Sequence, residues 1–369
     1  MKKVAHLTSV HYRYDTRIFL KMCISLSQKY TTYLVVADGL GSEIKNNVNF
    51  VDIGKFDSRK DRILNSPNEI YIKALELDAD LYHIHDPELM YVALKLQKKG
   101  KKVIYDSHED FPAQLKSKEY LNPFLSLSLS IFFIYYEKII FPRLSYIVAA
   151  TPRIKSNIHK FCKNVIDINN FPILGELATE HKSWNKVNNE IAYVGTISKE
   201  RGILELIKSL EYTKSQARLN LVGEFEELET YEKVKKMDGW KYVNEYGKRN
   251  RAEVKEILDR SVAGIVAFLS SPNHIEAQPN KMFEYMSAGI PVISSNFPLW
   301  QDLIKGNNCG LCINPSEPKE LASAIDYLIS DHAIAKDMGI NGMDMINIKY
   351  NWAIEEAKLF DLYKKILGN

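Results

Sequence analysis
Glu276 and Glu284 stand eight residues apart in the run Glu276-Ala277-Gln278-Pro279-Asn280-Lys281-Met282-Phe283-Glu284, with one lysine between them. Pro279 and Asn280 are residues that start helices, and Gly289-Ile290-Pro291 stops one. The spacing predicts a helix over 280–288, with Glu284 one turn in and Glu276 in the preceding loop. Free N–H groups and a partial positive charge at a helix N-terminus suit a phosphate, and Lys281 adds a full charge there. A carboxylate accepts hydrogen bonds from the vicinal hydroxyls of a sugar or ribose. The segment therefore offers partners for both halves of a sugar nucleotide. Two arbitrary glutamates at this spacing are ordinarily solvated surface residues, so the flanking sequence has to decide.

The elements that would position these residues follow a regular order. Strands are predicted over 4–10, 32–37, 80–85, 102–106 and 146–150, alternating with helices over 17–29, 89–98 and 152–160. The second half repeats the pattern. Its strands are Glu190–Val194, Arg218–Val222, 263–268 and 291–294, and its helices Ile203–Leu210, 251–259, 282–288 and 318–329. Strands separated by helices imply βαβ units and parallel sheets covered on both faces, with ligands at the carboxyl ends of the strands. The expected class is α/β with two doubly wound halves. Asn169-Asn170-Phe171-Pro172 and the polar, aperiodic residues after it place a boundary within 167–186. The expected domains are 1–168 and 169–351, with an amphipathic helix in 352–369 crossing back onto the first.

The segment around the glutamates resembles the retaining glycosyltransferases of family 4, in a branch serving bacterial surface polysaccharides. It has Glu276-x7-Glu284 and then Ala288-Gly289-Ile290-Pro291-Val292-Ile293, which matches the family's small-Gly-x-Pro-Val strand. The resemblance implies the GT-B fold, two Rossmann-like domains facing a central cleft. It implies that Glu276 contacts the donor sugar and Glu284 the nucleoside ribose. Tyr193-Val194-Gly195-Thr196-Ile197-Ser198-Lys199-Glu200-Arg201-Gly202 resembles the first strand and loop of the donor domain. There the family carries an Arg directly after the first Gly and a Lys before the second, both on the diphosphate. Here Thr196 replaces that Arg, while Arg201 keeps a charge at the Lys position. Gly195, Thr196, Arg201, Asn280, Lys281 and Glu284 are thus the expected donor-binding residues, with Lys281 or Lys199 making up the missing charge.

On the other half, Tyr105-Asp106-Ser107-His108-Glu109-Asp110 follows a strand, and a His at such a strand end is placed for ligand contact. The resemblance implies that His108 touches the sugar or the reacting oxygens, so His108 and Glu276 are the expected catalytic residues. The loop His11-Tyr12-Arg13-Tyr14-Asp15-Thr16-Arg17 lacks the Gly-Gly pair common in the family. Asp15, Arg17 and Asp86 are acceptor-side candidates, Asp15 also as a helix cap. Asp78-Ala79-Asp80 precedes an ordinary strand and reads as a loop.

Composition narrows the partners. A formal charge of +3 on 369 residues argues against nucleic acid. Cys309 and Cys312 form a lone C-x-x-C in apolar surroundings and read as packing thiols, in keeping with a reducing cytosol. No apolar leader segment precedes the first strand, so a signal peptide is not expected. The apolar stretch 124–140 is interrupted by serines and charges and falls short of the ~20 apolar residues a span requires. The wider 116–143 stretch reads equally as a membrane-resting surface or as buried core helices.

The expected function is transfer of a sugar from a nucleotide diphosphate to a glycan or lipid-linked acceptor in O-antigen or capsule assembly. The expected setting is the cytoplasm, with peripheral contact at the inner face of the membrane. The resemblance implies no protein-bound metal and no cofactor besides the nucleotide-sugar substrate. The alternatives are a sugar-nucleotide epimerase or hydrolase on the same fold, and a non-catalytic sugar-nucleotide-binding scaffold.

Overall fold
The computed structural model describes residues 1–116, 122–178, 184 and 187–368. Residues 117–121 of the apolar stretch, and 179–183 and 185–186 of the expected boundary segment, lie outside the described residues. The chain divides into two compact units, Met1–Asn170 with Trp352–Asn369, and Phe171–Asn351.

The first unit is built on an eight-stranded sheet. Its strands are β1 (Lys3–Leu7), β2 (Thr31–Val36), β3 (Glu43–Lys45), β4 (Val48–Asp52), β5 (Leu81–Ile84), β6 (Lys102–Ser107), β7 (Tyr146–Ala149) and β8 (Val165–Asp167). The spatial order is β3-β4-β2-β1-β5-β6-β7-β8, parallel throughout except for β3 against β4. The β3–β4 hairpin and the helix Arg59–Leu77 were not expected from the sequence. Asn46 and Asn47 form the hairpin turn with φ of 49° and 60°, a conformation asparagine tolerates. Pro67 sits inside the helix, where it reads as a break.

Side chains alternate across this sheet with a period of two. Ala5, Leu7, Tyr82, Ile84 and Tyr105 point into one apolar core. His6, His83, His85 and Asp106, their neighbours in sequence, lie on the opposite face and are fully buried there. That face is covered by the wide-turned helix Thr16–Cys23, in place of the regular helix expected over 17–29, and by the C-terminal helix Trp352–Leu367. Trp352 Nε1 donates to Ser25 Oγ at 3.0 Å, and the Tyr363 hydroxyl lies 2.9 Å from His83 Nδ1.

The second unit has a six-stranded parallel sheet, in the order β11-β10-β9-β12-β13-β14. The strands are β9 (Glu190–Val194), β10 (Arg218–Val222), β11 (Val243–Gly247), β12 (Ala263–Val266), β13 (Val292–Ser295) and β14 (Gly310–Ile313). Apolar cores fill both faces, one around Tyr193, Leu221 and Ile265, the other around Val222, Phe283 and Trp300. Cys309 and Cys312 are free thiols, and burial pushes the Cys309 thiol up to about 12.

The apolar stretch corrects one expectation. Phe124–Arg143 is a continuous run of 20 residues, within which an 18-residue stretch has a mean hydropathy of 1.6 and is 22% buried. Read from the sequence, the stretch 124–140 falls short of a span because serines and charges interrupt it. In the structure Pro142 occupies the start of a 3-10 turn, Phe141–Arg143, that continues the helix Pro123–Ile140. By length and composition the run could cross a membrane, and the buried-core reading does not describe it.

Candidate functional site
In the second unit, two glycine turns meet at the carboxyl ends of the central strands. Gly195 follows β9 with φ of 113°, and Gly223 follows β10 with φ of 144°. A Cβ on Gly223 would come within 2.0 Å of the Gly195 carbonyl oxygen, so the Gly223 turn leaves no room for a side chain. Bare backbone of this kind is what lets a phosphate approach amide groups. The Tyr193 hydroxyl donates to the Thr196 carbonyl at 2.8 Å, and Arg201 Nη1 donates to the same oxygen at 3.3 Å. Arg201 is thereby folded back over the loop that carries Thr196.

The helix Asn280–Ser287 starts where its capping residues predicted. Asn280 is exposed at its first position, while Lys281 is buried. The Lys281 ammonium lies 3.7 Å from the centre of the Tyr193 ring, and it has no hydrogen-bond partner among the described residues. A Cβ on Gly195 would lie 3.5 Å from it. Burial, and secondly the Arg201 cation, hold the Lys281 pKa well below the usual lysine range. Cation–π contact with Tyr193 offsets part of the desolvation cost, but a buried cation without a hydrogen bond is expensive. An anion at the Gly195 turn would satisfy it.

One turn further along this helix, Glu284 Oε1 accepts from Arg251 Nη1 at 2.8 Å. The other edge of the Arg251 guanidinium donates to both oxygens of Glu176, at 2.7 and 2.8 Å. Glu284 is therefore fixed from one side and leaves its second oxygen out of this pair. Glu276 is exposed at the end of the short helix Pro272–Ile275. Its loop is pinned by Trp300 Nε1, which donates to the Ala277 carbonyl at 2.7 Å.

In the first unit, the loop after β1 is held by carboxylates. Asp15 Oδ1 accepts from the backbone N–H groups of Arg17 and Ile18, each at 2.8 Å, and so caps the following helix. Asp86 Oδ2 accepts from Thr8 Oγ1 at 2.8 Å and the Ser9 backbone N–H at 2.6 Å. His108 is half-buried, edge-on to the His11 ring with centroids 4.9 Å apart. His11 Nε2 in turn lies 3.3 Å from Asp86. Burial disfavours the His11 cation, yet Asp15, Asp86 and Asp106 outweigh it and raise the His11 pKa.

His6, His83 and His85 form one cluster whose composition could hold a metal ion. Most of its nitrogens are tied into a hydrogen-bonded chain, while His83 Nε2 is buried without a hydrogen-bond partner among the described residues. Asp106 Oδ2 is 3.1 Å from His85 Nδ1, His85 Nε2 is 2.9 Å from His6 Nδ1, and the Tyr363 hydroxyl is 3.2 Å from His6 Nε2.

Residues 177–345 match the family model for glycosyl transferases group 1, and this stretch contains Gly195, Arg201, Arg251, Glu276, Lys281 and Glu284. The chain carries a group 1 glycosyltransferase domain. Its sequence is 28% identical over 191 residues to the capsular polysaccharide biosynthesis glycosyltransferase CapM of Staphylococcus aureus, covering 51% of this chain and 48% of that protein. The chain thus spans about half the length of the curated relative it matches. The fold extends further than the sequence likeness. Sucrose-phosphate synthase from Thermosynechococcus elongatus superposes with a TM-score of 0.81, at 14% identity and full coverage of both chains. HepE of Anabaena in complex with UDP-glucose superposes with a TM-score of 0.74, at 15% identity over 99% of this chain and all of that one. The architecture is GT-B.

Within the group 1 domain, the structure brings Gly195, Thr196, Arg201 and Lys281 to one glycine turn and sets Glu284 one helical turn from Lys281. Arg17, expected on the acceptor side, is corrected: its guanidinium is buried and donates to both oxygens of Asp106 at 2.9 and 2.7 Å, and to the Ile168 carbonyl. A desolvated arginine needs a fixed counter-charge, and Asp106 supplies it. Arg13 is likewise paired, with Asp38 and Glu43. Asp86 is buried and organises the loop after β1. Sequence reasoning missed Glu176, Arg251 and His11. Arg251 carries no local signal beyond its place at a helix start, since its partners lie 33 and 75 residues away.

Proposed function
We propose that this chain is a retaining glycosyltransferase that takes a hexose-like sugar from a nucleoside diphosphate donor held by the second unit. The observation that supports this most is Lys281. Its buried, unpartnered ammonium stands beside the Gly195 turn, next to the Arg201 cation. Two cations and bare backbone at a strand end form a site for a diphosphate. In this reading Lys281 and Arg201 stabilise the charge that develops on the leaving diphosphate, where preorganised donors in a water-poor site act most strongly. Lys281 thus takes over from the arginine that Thr196 replaces. Glu284 accepts from the ribose hydroxyls, Glu276 orients the sugar, and Asn280 lies at the helix start nearby. His108, supported by His11, acts at the reacting oxygens on the acceptor side. No protein nucleophile, metal or further cofactor is invoked.

The proposed acceptor is a glycan or lipid-linked oligosaccharide of cell-surface polysaccharide assembly, at the cytoplasmic face of a membrane. The likeness to CapM, named for capsular polysaccharide biosynthesis, supports this, and HepE's complex with UDP-glucose supports the donor class. Thermal-shift screening against UDP, GDP and their sugars should raise the melting temperature with ligand concentration. Transfer from the stabilising donor should then fall in Glu276→Ala and Glu284→Ala. Intact transfer in both variants would remove the site assignment. An isomerised or hydrolysed donor as the main product would point to an epimerase or hydrolase, and binding without turnover to a scaffold.

A further inference from the structure
The helix Pro123–Ile140 is amphipathic in the inverted sense. Its polar side faces the protein: Ser126 Oγ and Ser130 Oγ are buried and donate to the carbonyls of Leu115 and Pro112, each at 2.7 Å. Its apolar side faces outward. Phe124 is 80% exposed, Phe132 56% and Tyr135 61%, with Leu127, Ile131 and Ile139 exposed beside them. The spacing 124, 127, 131, 135, 139 puts these residues on one stripe along the whole helix. Ser128, on the same outer side, turns its hydroxyl to its own helix and donates to the Phe124 carbonyl at 2.8 Å. The outer face therefore presents almost no unsatisfied polar group.

Charges are confined to one end. Lys138 and Arg143 are exposed, and Lys138 lies over the Tyr135 ring at 5.5 Å. The single acidic residue of the helix, Glu137, is half-buried, and burial together with Asp110 pushes its carboxyl up to about 8. An apolar stripe ~24 Å long, at 1.5 Å per residue, with cations at one end, has the chemistry of a lipid interface. The helix cannot at the same time cross the bilayer, because its serine side and the neighbouring Phe133 and Tyr136 are packed on the first unit.

We infer that this helix lies flat in the surface of an anionic membrane, burying Phe124, Leu127, Ile131, Phe132, Tyr135 and Ile139 among the acyl chains, with Lys138 and Arg143 on the headgroups. The inference rests on this helix alone and holds whether or not the donor assignment does. It names the element behind the membrane contact proposed above.

The test is co-sedimentation of the full chain with vesicles of phosphatidylglycerol and phosphatidylethanolamine, and with phosphatidylcholine alone. The unaltered chain should pellet with the anionic vesicles. Ile131→Ser combined with Phe132→Ser should weaken binding at least ~10-fold through lost apolar burial. Lys138→Ser with Arg143→Ser should abolish the preference for anionic over neutral vesicles. Melting temperature and UDP-induced stabilisation, read on the same samples, report fold and donor site separately from membrane binding. If the first variant fails to fold, Leu127→Ser with Tyr135→Ser removes the same stripe elsewhere. An unaltered chain that stays in the supernatant, equal binding by the substituted forms, or a dimer that the substitutions dissolve without vesicle binding would each overturn the inference.

Discussion

Arg251 joins Glu284 to Glu176. One guanidinium edge donates to Glu284 Oε1 at 2.8 Å, and the other donates to the two Glu176 oxygens at 2.7 and 2.8 Å. Glu176 fixes the fork in its plane, and the fork fixes the carboxylate that the proposed donor site aims at the ribose. Arg251 touches no substrate in this arrangement; it is a positioning residue.

Arg251→Ala should lower kcat/KM for the donor by about 10- to 100-fold, chiefly through KM, since it frees a carboxylate whose charge-assisted bonds are worth ~1.5–3 kcal/mol. Arg251→Lys keeps the charge but not the fork and should fall between. The guanidinium is 36% exposed, so stability without ligand should drop by less than ~1 kcal/mol. Steady-state kinetics beside melting curves check this, and a large melting shift with unchanged KM would contradict it.

Lys281→Met should behave in the opposite way. It removes a buried, unpartnered ammonium in exchange for an isosteric apolar chain, so the melting temperature should stay level or rise. Stabilisation by UDP or GDP should disappear. The pH dependence follows from the lowered Lys281 pKa. A bound diphosphate raises that pKa, so binding takes up a proton and affinity should fall as pH rises from neutral toward the ordinary 10.5. Calorimetric titration at several pH values should show this slope in the unaltered chain and lose it in Lys281→Met.

Acid should weaken the first unit through its histidines. Burial, reinforced by mutual repulsion, holds the pKa values of His6 and His83 well below 6.5, and burial also lowers that of His85. Because the folded values lie below the unfolded one, the unfolded chain binds more protons once the pH drops under 6.5. Stability is then lost as pH falls from 6.5 toward the folded values, at up to about 1.4 kcal/mol per pH unit for each histidine. Denaturant melts between neutral and mildly acidic pH should show a shallower loss in His83→Gln than in the unaltered chain. Asp106 acts in a different window, since its lowered pKa matters only below 3.8.

Gly223→Ala should destabilise the second unit by at least about 2 kcal/mol. The new Cβ would stand 2.0 Å from the Gly195 carbonyl oxygen, on a backbone with φ of 144°. Gly247→Ala, with φ of 65° but no atom within 4 Å of the new Cβ, separates backbone strain from the clash and should cost less. Thermal unfolding of both variants measures the difference.

What the sequence determined by itself was local. Pro279-Asn280 and Gly289-Ile290-Pro291 delimit a helix that runs Asn280–Ser287 in the structure, and alternation of strands with helices announced two parallel sheets. Capping, periodicity and turn chemistry act over a few residues, so they are visible along the chain. The glycine turn and its charges were legible for the same reason, Gly195 and Arg201 being only a loop apart. Tertiary structure decided which charges are sealed off and what faces them. Nothing next to Lys281 says that its ammonium is driven onto Tyr193, and nothing near Arg17 says that Asp106, 89 residues on, neutralises it. The same holds for the helix Pro123–Ile140, which reads equally as a membrane-resting surface or as core until its serines are seen bonded to the protein. Desolvation is set by everything that packs around a group, and the energetics of Lys281 and of the Arg251 fork come from residues that only the fold brings together.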